Sequence, residues 1–482
     1  MKKIISLILA ILTALSIASC GAGNGDTVST DPIDSADEVT ESATESETED
    51  APYDGIFQVG FGRADITPEG EIPLNTGVMM KKVLSKIYVT CIAVYDGDQT
   101  VLIFTGDMKN IATEVFDKIT RQVKLSTGVP EENIMFSATH SHSAPSPTTA
   151  NGSSVHANLI KWSNTLYAKA TTAAKDAIKD LADAKIQIGT FKTTGMAFVR
   201  RYFDANGKFF DLQTSGNAAS YESEADDTAQ LIRFVREEKK DILLANWQCH
   251  PATEIAYYPE SISADIVAYI RDAVESGNDD LLFAFYLGAS GNINTNGKVP
   301  GTAKYLNYKL AAQAFGKMAL KEADKLSPAE AGKIKAETAT KTLTYRKDSA
   351  ERVKQAEEIK ADKYSVTLMN KYGFISKYDV DYTLGRNSRD DKQVIRLSVF
   401  SFGDLAFTSF PYEMFDTNGM EVKNGSFAKM TFVLTCAGGS YGYVPSALAV
   451  KNGGYEVYVS YFEYGTAEDV VKTVLEMLEK QK

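Results

Sequence analysis

The chain has 482 residues, of which 44% are hydrophobic and 24% charged, and its formal charge is −12. That length and apolar content suffice for a large buried core, while the acidic balance excludes the basic footprint that nucleic-acid binding requires. Four cysteines in so long a chain do not make a disulfide framework. At the start, Lys2 and Lys3 precede an apolar run over 4–17, followed by Ala18-Ser19-Cys20. A short basic stretch, an apolar stretch too brief to span a bilayer and small residues before the break predict a secretory leader. Cys20 directly after Ile17-Ala18-Ser19 is the bacterial lipoprotein pattern, cleaved before Cys20 and acylated on its sulfur. It predicts export and a lipid anchor on the outer face of a bacterial membrane, at the cell surface or in the periplasm; the alternative is an ordinary leader with an incidental cysteine.

Residues 21–54 carry eleven Asp or Glu and no Lys or Arg. They cannot bury enough apolar surface to fold, and like charges hold them extended, so they are expected to form an acidic disordered tether. Loss of Lys2 and Lys3 takes the formal charge from −12 to −14, and the tether alone holds −11, leaving −3 for the remainder. The acidity therefore belongs to the tether and says little about substrate.

Residues 55–482 show no internal repeat and no second linker, and are expected to form one large domain. Strand-like and helix-like segments alternate, which predicts an α/β class. Residues 87–94 and 101–104 form a hairpin through Asp96-Gly97-Asp98. A helix is expected over 111–123, a short buried strand at 134–138 and an alanine-rich helix over 158–181. Paired strands follow at 231–235 and 242–247, then a helix at 262–274, a strand at 281–287 and a helix at 304–325. Strands at 394–402 and 405–410 turn at Gly403-Asp404, another lies at 431–436, and an amphipathic helix at 467–478 ends the chain. Cys91, Cys249 and Cys436 fall in apolar strand-like runs and are expected to be buried free thiols.

Residues with chemical potential follow short apolar strands: His140, His250, Ser290, Glu413, Tyr441 and Tyr443. Loops beyond strand ends are where α/β enzymes assemble sites on a rigid scaffold. Only four histidines exist: His140, His142, His156 and His250. In Thr139-His140-Ser141-His142-Ser143-Ala144-Pro145 an extended backbone would turn both imidazoles to one side, where they can share a cation. A hydrogen-bonded surface pair explains a lone His-x-His equally well. His250, in Cys249-His250-Pro251, offers a third donor, and a metal hydrolase needs about three protein ligands plus an open position.

Several segments together resemble the neutral/alkaline non-lysosomal ceramidases. Val59-Gly60-Phe61-Gly62-Arg63-Ala64-Asp65-Ile66-Thr67-Pro68 is similar to the start of that catalytic domain, and Ala138-Thr139-His140-Ser141-His142-Ser143-Ala144-Pro145 to its metal-binding motif. Pro411-Tyr412-Glu413 resembles a Pro-Gly-Glu segment, and Gly442-Tyr443-Val444 with Tyr455-Glu456 resembles the C-terminal active-site stretch. The likeness runs from about residue 57 to the end. It implies a ceramidase-like catalytic domain of mixed β-sheets flanked by helices, acting as a zinc-dependent amidohydrolase on an N-acyl, ceramide-like lipid or related amide through a zinc-activated water. It further implies His140, His250, Glu413 and Tyr443 as zinc ligands, with His142 beside the metal as proton donor and acceptor. Tyr455 would hydrogen-bond the substrate carbonyl or its oxyanion. Arg200 corresponds to an arginine that contacts the substrate head group, with Arg201 competing for that alignment.

Two departures bear on mechanism. In Gly288-Ala289-Ser290-Gly291-Asn292-Ile293-Asn294 the family's serine falls on Asn294, which cannot accept an acyl group. Ser290 is a substitute nucleophile only without the Gly-x-Ser-x-Gly spacing of a strained elbow. The family also carries a C-terminal immunoglobulin-like domain, whereas this chain stops with a helix soon after Tyr455, so amide hydrolysis transfers better than the identity of the lipid. Asp107 is expected to cap a helix in preference to standing behind the metal; Asp265 could orient a histidine. His156 is expected in a loop, and Glu254 shares a face with His250 only if that turn is helical. A non-catalytic surface lipoprotein that binds lipid or glycan with the same fold remains the competing reading.

Overall fold

Strands form where β-branched and aromatic residues run together. Tyr88–Tyr95 and Thr100–Gly106 pair antiparallel in the register Val89↔Gly106, with Asp96 Oδ1 accepting the N–H groups of Asp98 and Gln99 in the turn. The computed structural model describes residues 53–74, 77–150, 155–211, 218–299, 302 and 304–482. The expected leader, Cys20 and nearly all of the tether lie outside the described residues.

The main sheet runs in the order Leu281–Leu287, Asp241–Trp247, Thr228–Arg236, Ala182–Lys192, Gln58–Asp65, Tyr88–Tyr95, Thr100–Gly106, Ile134–Ala138, with Ser327–Ala329 added alongside Ala182–Lys192. Its inner pairings are antiparallel, but the pair at each end is parallel. A second sheet, Ile334–Thr344, Lys392–Phe402, Leu405–Ser409 and Met430–Leu434, lies on one face of the first. Phe57, Ile92, Ile103, Phe234 and Leu244 interlock there with Phe400, Phe402, Phe407 and Phe432. On its other face the main sheet is covered by helices Thr113–Thr127, Ala157–Lys179, Ile266–Glu275 and Tyr308–Ala323. Helix Thr466–Glu479 covers the outer face of the second sheet. The layers are thus helix, sheet, sheet, helix: mixed β-sheets flanked by helices, as expected.

Gly60 and Gly62 explain the contact between strand Gln58–Asp65 and helix Ala157–Lys179. A Cβ at either position would collide with the carbonyl oxygens of Ala177 and Ala173, so two glycines on the strand and alanines on the helix let the backbones touch. The main sheet also curls until its edges meet. Thr105 Oγ1 donates to the Phe285 carbonyl at 2.8 Å and the Tyr286 hydroxyl to the Ile103 carbonyl at 2.9 Å, which brings the ends of Ile134–Ala138 and Leu281–Leu287 together.

Several boundaries depart from expectation, three of them for a visible reason. The helix expected from 262 starts at Ile266, because Asp265 sits at φ 54° and caps it, while Ser261–Ile262 pairs with Lys82–Val83. The helix expected from 304 starts at Tyr308, where Asn307 Oδ1 accepts the Lys309 and Leu310 N–H groups. The strand expected to reach 436 ends at Leu434, before Cys436 at φ 51°. Cys91, Cys249 and Cys436 are buried free thiols, and no described helix is long and apolar enough to cross a membrane.

Candidate metal centre

Three parallel strand pairs end at one place: Thr100–Gly106 with Ile134–Ala138, Asp241–Trp247 with Leu281–Leu287, and Leu405–Ser409 with Met430–Leu434. The loops that leave these strand ends carry the candidate residues. His140 follows Ile134–Ala138 at φ 62°, a conformation rare for L-residues. Hydrogen bonds bracket it: the Ala138 N–H donates to the Cys436 carbonyl at 3.1 Å and the Thr139 N–H to the Gly106 carbonyl at 2.8 Å. The His142 N–H donates to the Pro251 carbonyl at 2.9 Å, which locks the two histidine loops together. From the second sheet, the Glu413 N–H donates to the Gly442 carbonyl at 2.8 Å, and Glu413 pairs in register with Tyr443.

The side chains converge. His142 Nε2 lies 3.2 Å from His140 Nε2 and 3.3 Å from His250 Nε2, and the donor atoms of the three histidines all fall within 4.8 Å of one another. Glu413 Oε2 stands 3.2 Å from His140 Nε2 and 3.9 Å from His250 Nε2. Two ligands about 2.0–2.1 Å from a tetrahedral zinc are themselves about 3.3 Å apart. Glu413 Oε2 is buried with no hydrogen-bond partner, an arrangement that needs a cation or an ordered donor. The residues present therefore fit a divalent metal of the zinc type.

The outer ring nitrogens distinguish the histidines. His140 Nδ1 meets the Lys109 carbonyl at 2.7 Å and His250 Nδ1 meets the Ser290 carbonyl at 3.3 Å. Each N–H directed at a carbonyl leaves the Nε2 lone pair facing inward, the tautomer a ligand requires. His142 Nδ1 has no such partner among the described residues, and its ring is only partly buried.

Charge at the site follows from burial and proximity. For His140 burial opposes protonation, but facing Cys436 and Glu413 carry its pKa up to about 10. Burial, then the positive charges of Arg200 and His140, push His250 down to about 3. His142 is driven well down by burial, then by His140, Lys109, His250 and Arg200. Burial would raise Glu413, yet His140 and His250 hold it well below the usual carboxylate range. The pocket thus keeps one positive charge opposite Glu413, and a metal would compete with that proton. Burial, followed by the Glu413 carboxylate, raises Tyr443 well above its ordinary value and Tyr455 to about 12.

Arg200, and not Arg201, faces the centre. Its Nε donates to Glu456 at 2.7 Å, Nη2 to the Gly291 carbonyl at 2.6 Å and the Tyr443 hydroxyl at 3.3 Å, and Nη1 to Asn294 Oδ1 at 3.4 Å. One Nη1 hydrogen is left for a substrate. Arg201 turns away, to Glu222, Glu456 and the carbonyls of Ala449 and Gly453. Tyr455 stands edge-on to Tyr443, with ring centroids 5.9 Å apart. Ser290 contributes its carbonyl to His250.

Other residues singled out by sequence lie outside this group. Tyr441 hydrogen-bonds Thr113 and Gln393, and His156 caps helix Ala157–Lys179 by accepting the Asn158 N–H. Asp107 caps no helix: it pairs with Arg271 at 2.7 Å beneath the His140 loop. Asp265 touches no histidine, but accepts the Thr253 and Glu254 N–H groups at 2.9 and 2.8 Å and so fixes the chain leaving His250. Glu254 begins a helix instead of sharing one with His250, and its carboxylate takes the hydroxyls of Tyr269 and Tyr308. Sequence reasoning does not reach the Lys109 carbonyl, Cys436 (3.6 Å from His140 Nδ1) or the role of Glu456. A carbonyl carries no residue signature, and Glu456 is marked only by its place next to Tyr455.

The profile of the neutral/alkaline non-lysosomal ceramidase N-terminal domain matches residues 57–297. Among solved structures, a crystal structure of neutral ceramidase from Pseudomonas aeruginosa superposes with a TM-score of 0.64 at 14% identity, over 88% of this chain and 74% of that one. A ceramidase complexed with C2 gives a TM-score of 0.63 at 14% identity, with the same coverage of both chains. At such identity the likeness speaks for the fold. No curated protein matches the chain.

Proposed function

Because the chain belongs to the neutral/alkaline non-lysosomal ceramidase family, we propose that it is a zinc-dependent amidohydrolase, which cleaves the amide bond of an N-acyl, ceramide-like or related substrate with water. The observation that carries this reading is the meeting of the three imidazole Nε2 atoms with one another and of two of them, His140 and His250, with the buried Glu413 Oε2. His140 and His250, their outer nitrogens tied to carbonyls, would hold the metal with Glu413 and Tyr443. A zinc ion there lowers the pKa of a water molecule and polarises the scissile carbonyl.

The chain's own residues supply the remaining steps. Tyr455, neutral at ordinary pH, donates its hydroxyl proton in a hydrogen bond to the substrate carbonyl and its developing oxyanion. His142 has a free Nδ1 and a pKa well below its ordinary value, so it starts as a base; it takes a proton from the attacking water and returns it to the leaving amine. Arg200 holds Asn294 and Tyr443 in place and offers one hydrogen to the substrate head group. The net change is amide plus water to carboxylic acid plus amine.

Metal analysis and hydrolysis of short-chain ceramide, N-acyl amino acids and simple amides test the proposal. We expect one equivalent of zinc per chain and chelator-sensitive amide cleavage. His140→Ala and His250→Ala should lose both metal and activity; His142→Ala should keep much of the metal and lose turnover. Equal zinc loss in all three variants would move His142 into the coordination sphere. Zinc binding without cleavage of any amide would favour the competing reading, a surface protein that binds lipid or glycan, for which Asn294 in the serine position is the supporting observation. Chelator-insensitive cleavage would direct attention to Ser290. Export and acylation of Cys20 form part of the same proposal, and loss of palmitate labelling in Cys20→Ser is the expected result.

A further inference from the structure

Glu456 is completely buried, in the short helix Tyr455–Tyr458, and has two cationic partners. One carboxylate oxygen accepts Arg200 Nε at 2.7 Å and the other accepts Arg201 Nη1 at 2.8 Å. Arg201 has a second carboxylate of its own, Glu222, which takes its Nε and Nη2 at 2.5 and 2.9 Å. Arg200 has none. Its other contacts are the Gly291 carbonyl, the Tyr443 hydroxyl and the Asn294 side chain, so among the described residues Glu456 is the one carboxylate in salt-bridge contact with a buried guanidinium that adjoins the proposed metal ligands.

An arginine in that position is an anomaly. A site assembled for a divalent cation is weakened by a fixed positive charge in low-dielectric surroundings, and Arg200 Nη2 stands 3.3 Å from the hydroxyl of Tyr443, one of the residues that would hold the metal. Arg200 is nevertheless useful, since its planar fork alone spans Gly291, Tyr443 and Asn294. We propose that Glu456 is the positioning counter-ion of the centre: it cancels the Arg200 charge, so that the guanidinium can orient Tyr443 and Asn294 without repelling the metal. This inference rests on the zinc reading above. It assigns the Tyr455-Glu456 pair two tasks, with Tyr455 meeting substrate and Glu456 acting through Arg200.

The test is zinc affinity of full-length protein, stripped with chelator and titrated against a competing zinc indicator, with melting temperature measured in parallel. Glu456→Gln keeps the shape of the side chain and removes the charge; it should weaken zinc about tenfold to a hundredfold, the range for residues that support metal ligands. Arg200→Met combined with Glu456→Gln should recover most of that loss, because the uncompensated charge has gone. Glu222→Gln is the control. It removes a buried partner of Arg201, on the side away from the centre, and should lower the melting temperature while leaving zinc affinity within about twofold of wild type. Wild-type affinity in Glu456→Gln overturns the inference, as does a double variant no better than the single one. Equal weakening by Glu222→Gln would reduce Glu456 to a general structural role and also overturn it. Failure of the wild type to bind zinc would sink the functional reading itself, a distinguishable result.

Discussion

Asp107→Asn isolates the support beneath His140. Asp107 is 1% exposed and takes Arg271 Nη2 with both oxygens, at 3.0 and 2.7 Å, while its Oδ2 also accepts the Tyr88 N–H at 3.0 Å. The same short segment provides the Gly106 carbonyl for the Thr139 N–H and the Lys109 carbonyl for His140 Nδ1. Asparagine preserves the shape but leaves Arg271 as an unpaired buried cation, which costs about 3–5 kcal/mol. Unfolding entropy of about 2.1 cal/mol/K per residue, over the 431 residues of the unit Pro52–Lys482, amounts to roughly 0.9 kcal/mol/K. The melting temperature should therefore fall by about 3–6 °C in calorimetry of the metal-free protein. Zinc affinity should fall about tenfold, because the Lys109 carbonyl that fixes the His140 tautomer loses its anchor. Asp107→Leu with Arg271→Met should regain most of the stability, since two apolar side chains leave no charge to compensate. A melting temperature within about 1 °C of wild type together with unchanged zinc affinity would show that the ion pair neither stabilises the fold nor steadies His140.

Two shorter predictions address the other side of the centre. A Cβ on Gly291 would lie 3.0 Å from the Met414 carbonyl and 3.1 Å from that of Glu413; Gly291→Ala should displace the Glu413 strand, destabilise by about 1–3 kcal/mol and weaken zinc, as read by thermal melting and metal competition. Tyr455→Phe should keep zinc and lower kcat about a hundredfold or more, and an unchanged kcat would remove Tyr455 from oxyanion stabilisation.

The legible parts of the sequence are those in which a local signal coincides with burial. Strands Ile134–Ala138 and Leu281–Leu287 are apolar runs buried along nearly their whole length, and their bounds agree with the sequence reading residue for residue. Strands Ala182–Lys192 and Ile334–Thr344 escape that reading because each buries only two residues, Ile186 and Phe191 in one and Ile334 and Leu343 in the other, and neither contains an apolar run. Helices Ala350–Ala361, Val366–Tyr372 and Lys377–Ser388 are missed for a related reason: they bury few residues and share a small core of Ala356, Ile359, Phe374 and Val380. For the site, residue type and strand-end position point to His140, His250, Glu413 and Tyr443. What position along the chain does not contain is the curl of the main sheet that brings its edge strands together, or the carbonyls that set each histidine's tautomer. Asp107 shows the limit of local reasoning, because its partner, Arg271, lies 164 residues away.

Asn294 links the geometry to the choice of nucleophile. Its Oδ1 is engaged by Arg200 Nη1, which leaves the amide N–H groups, with no protein partner among the described residues, as the free pole of the side chain. That pole can donate to a substrate oxygen but cannot accept an acyl group. Ser290 places its backbone carbonyl on His250 Nδ1, and Gly288-Ala289-Ser290-Gly291-Asn292 around it lacks the spacing of a strained nucleophile elbow. Under the proposed function water is the acyl acceptor, and a single general base then replaces a nucleophile and base in series. His142 fits that need: its inner nitrogen lies within 3.3 Å of both other histidines, while its outer nitrogen, unlike theirs, meets no carbonyl among the described residues.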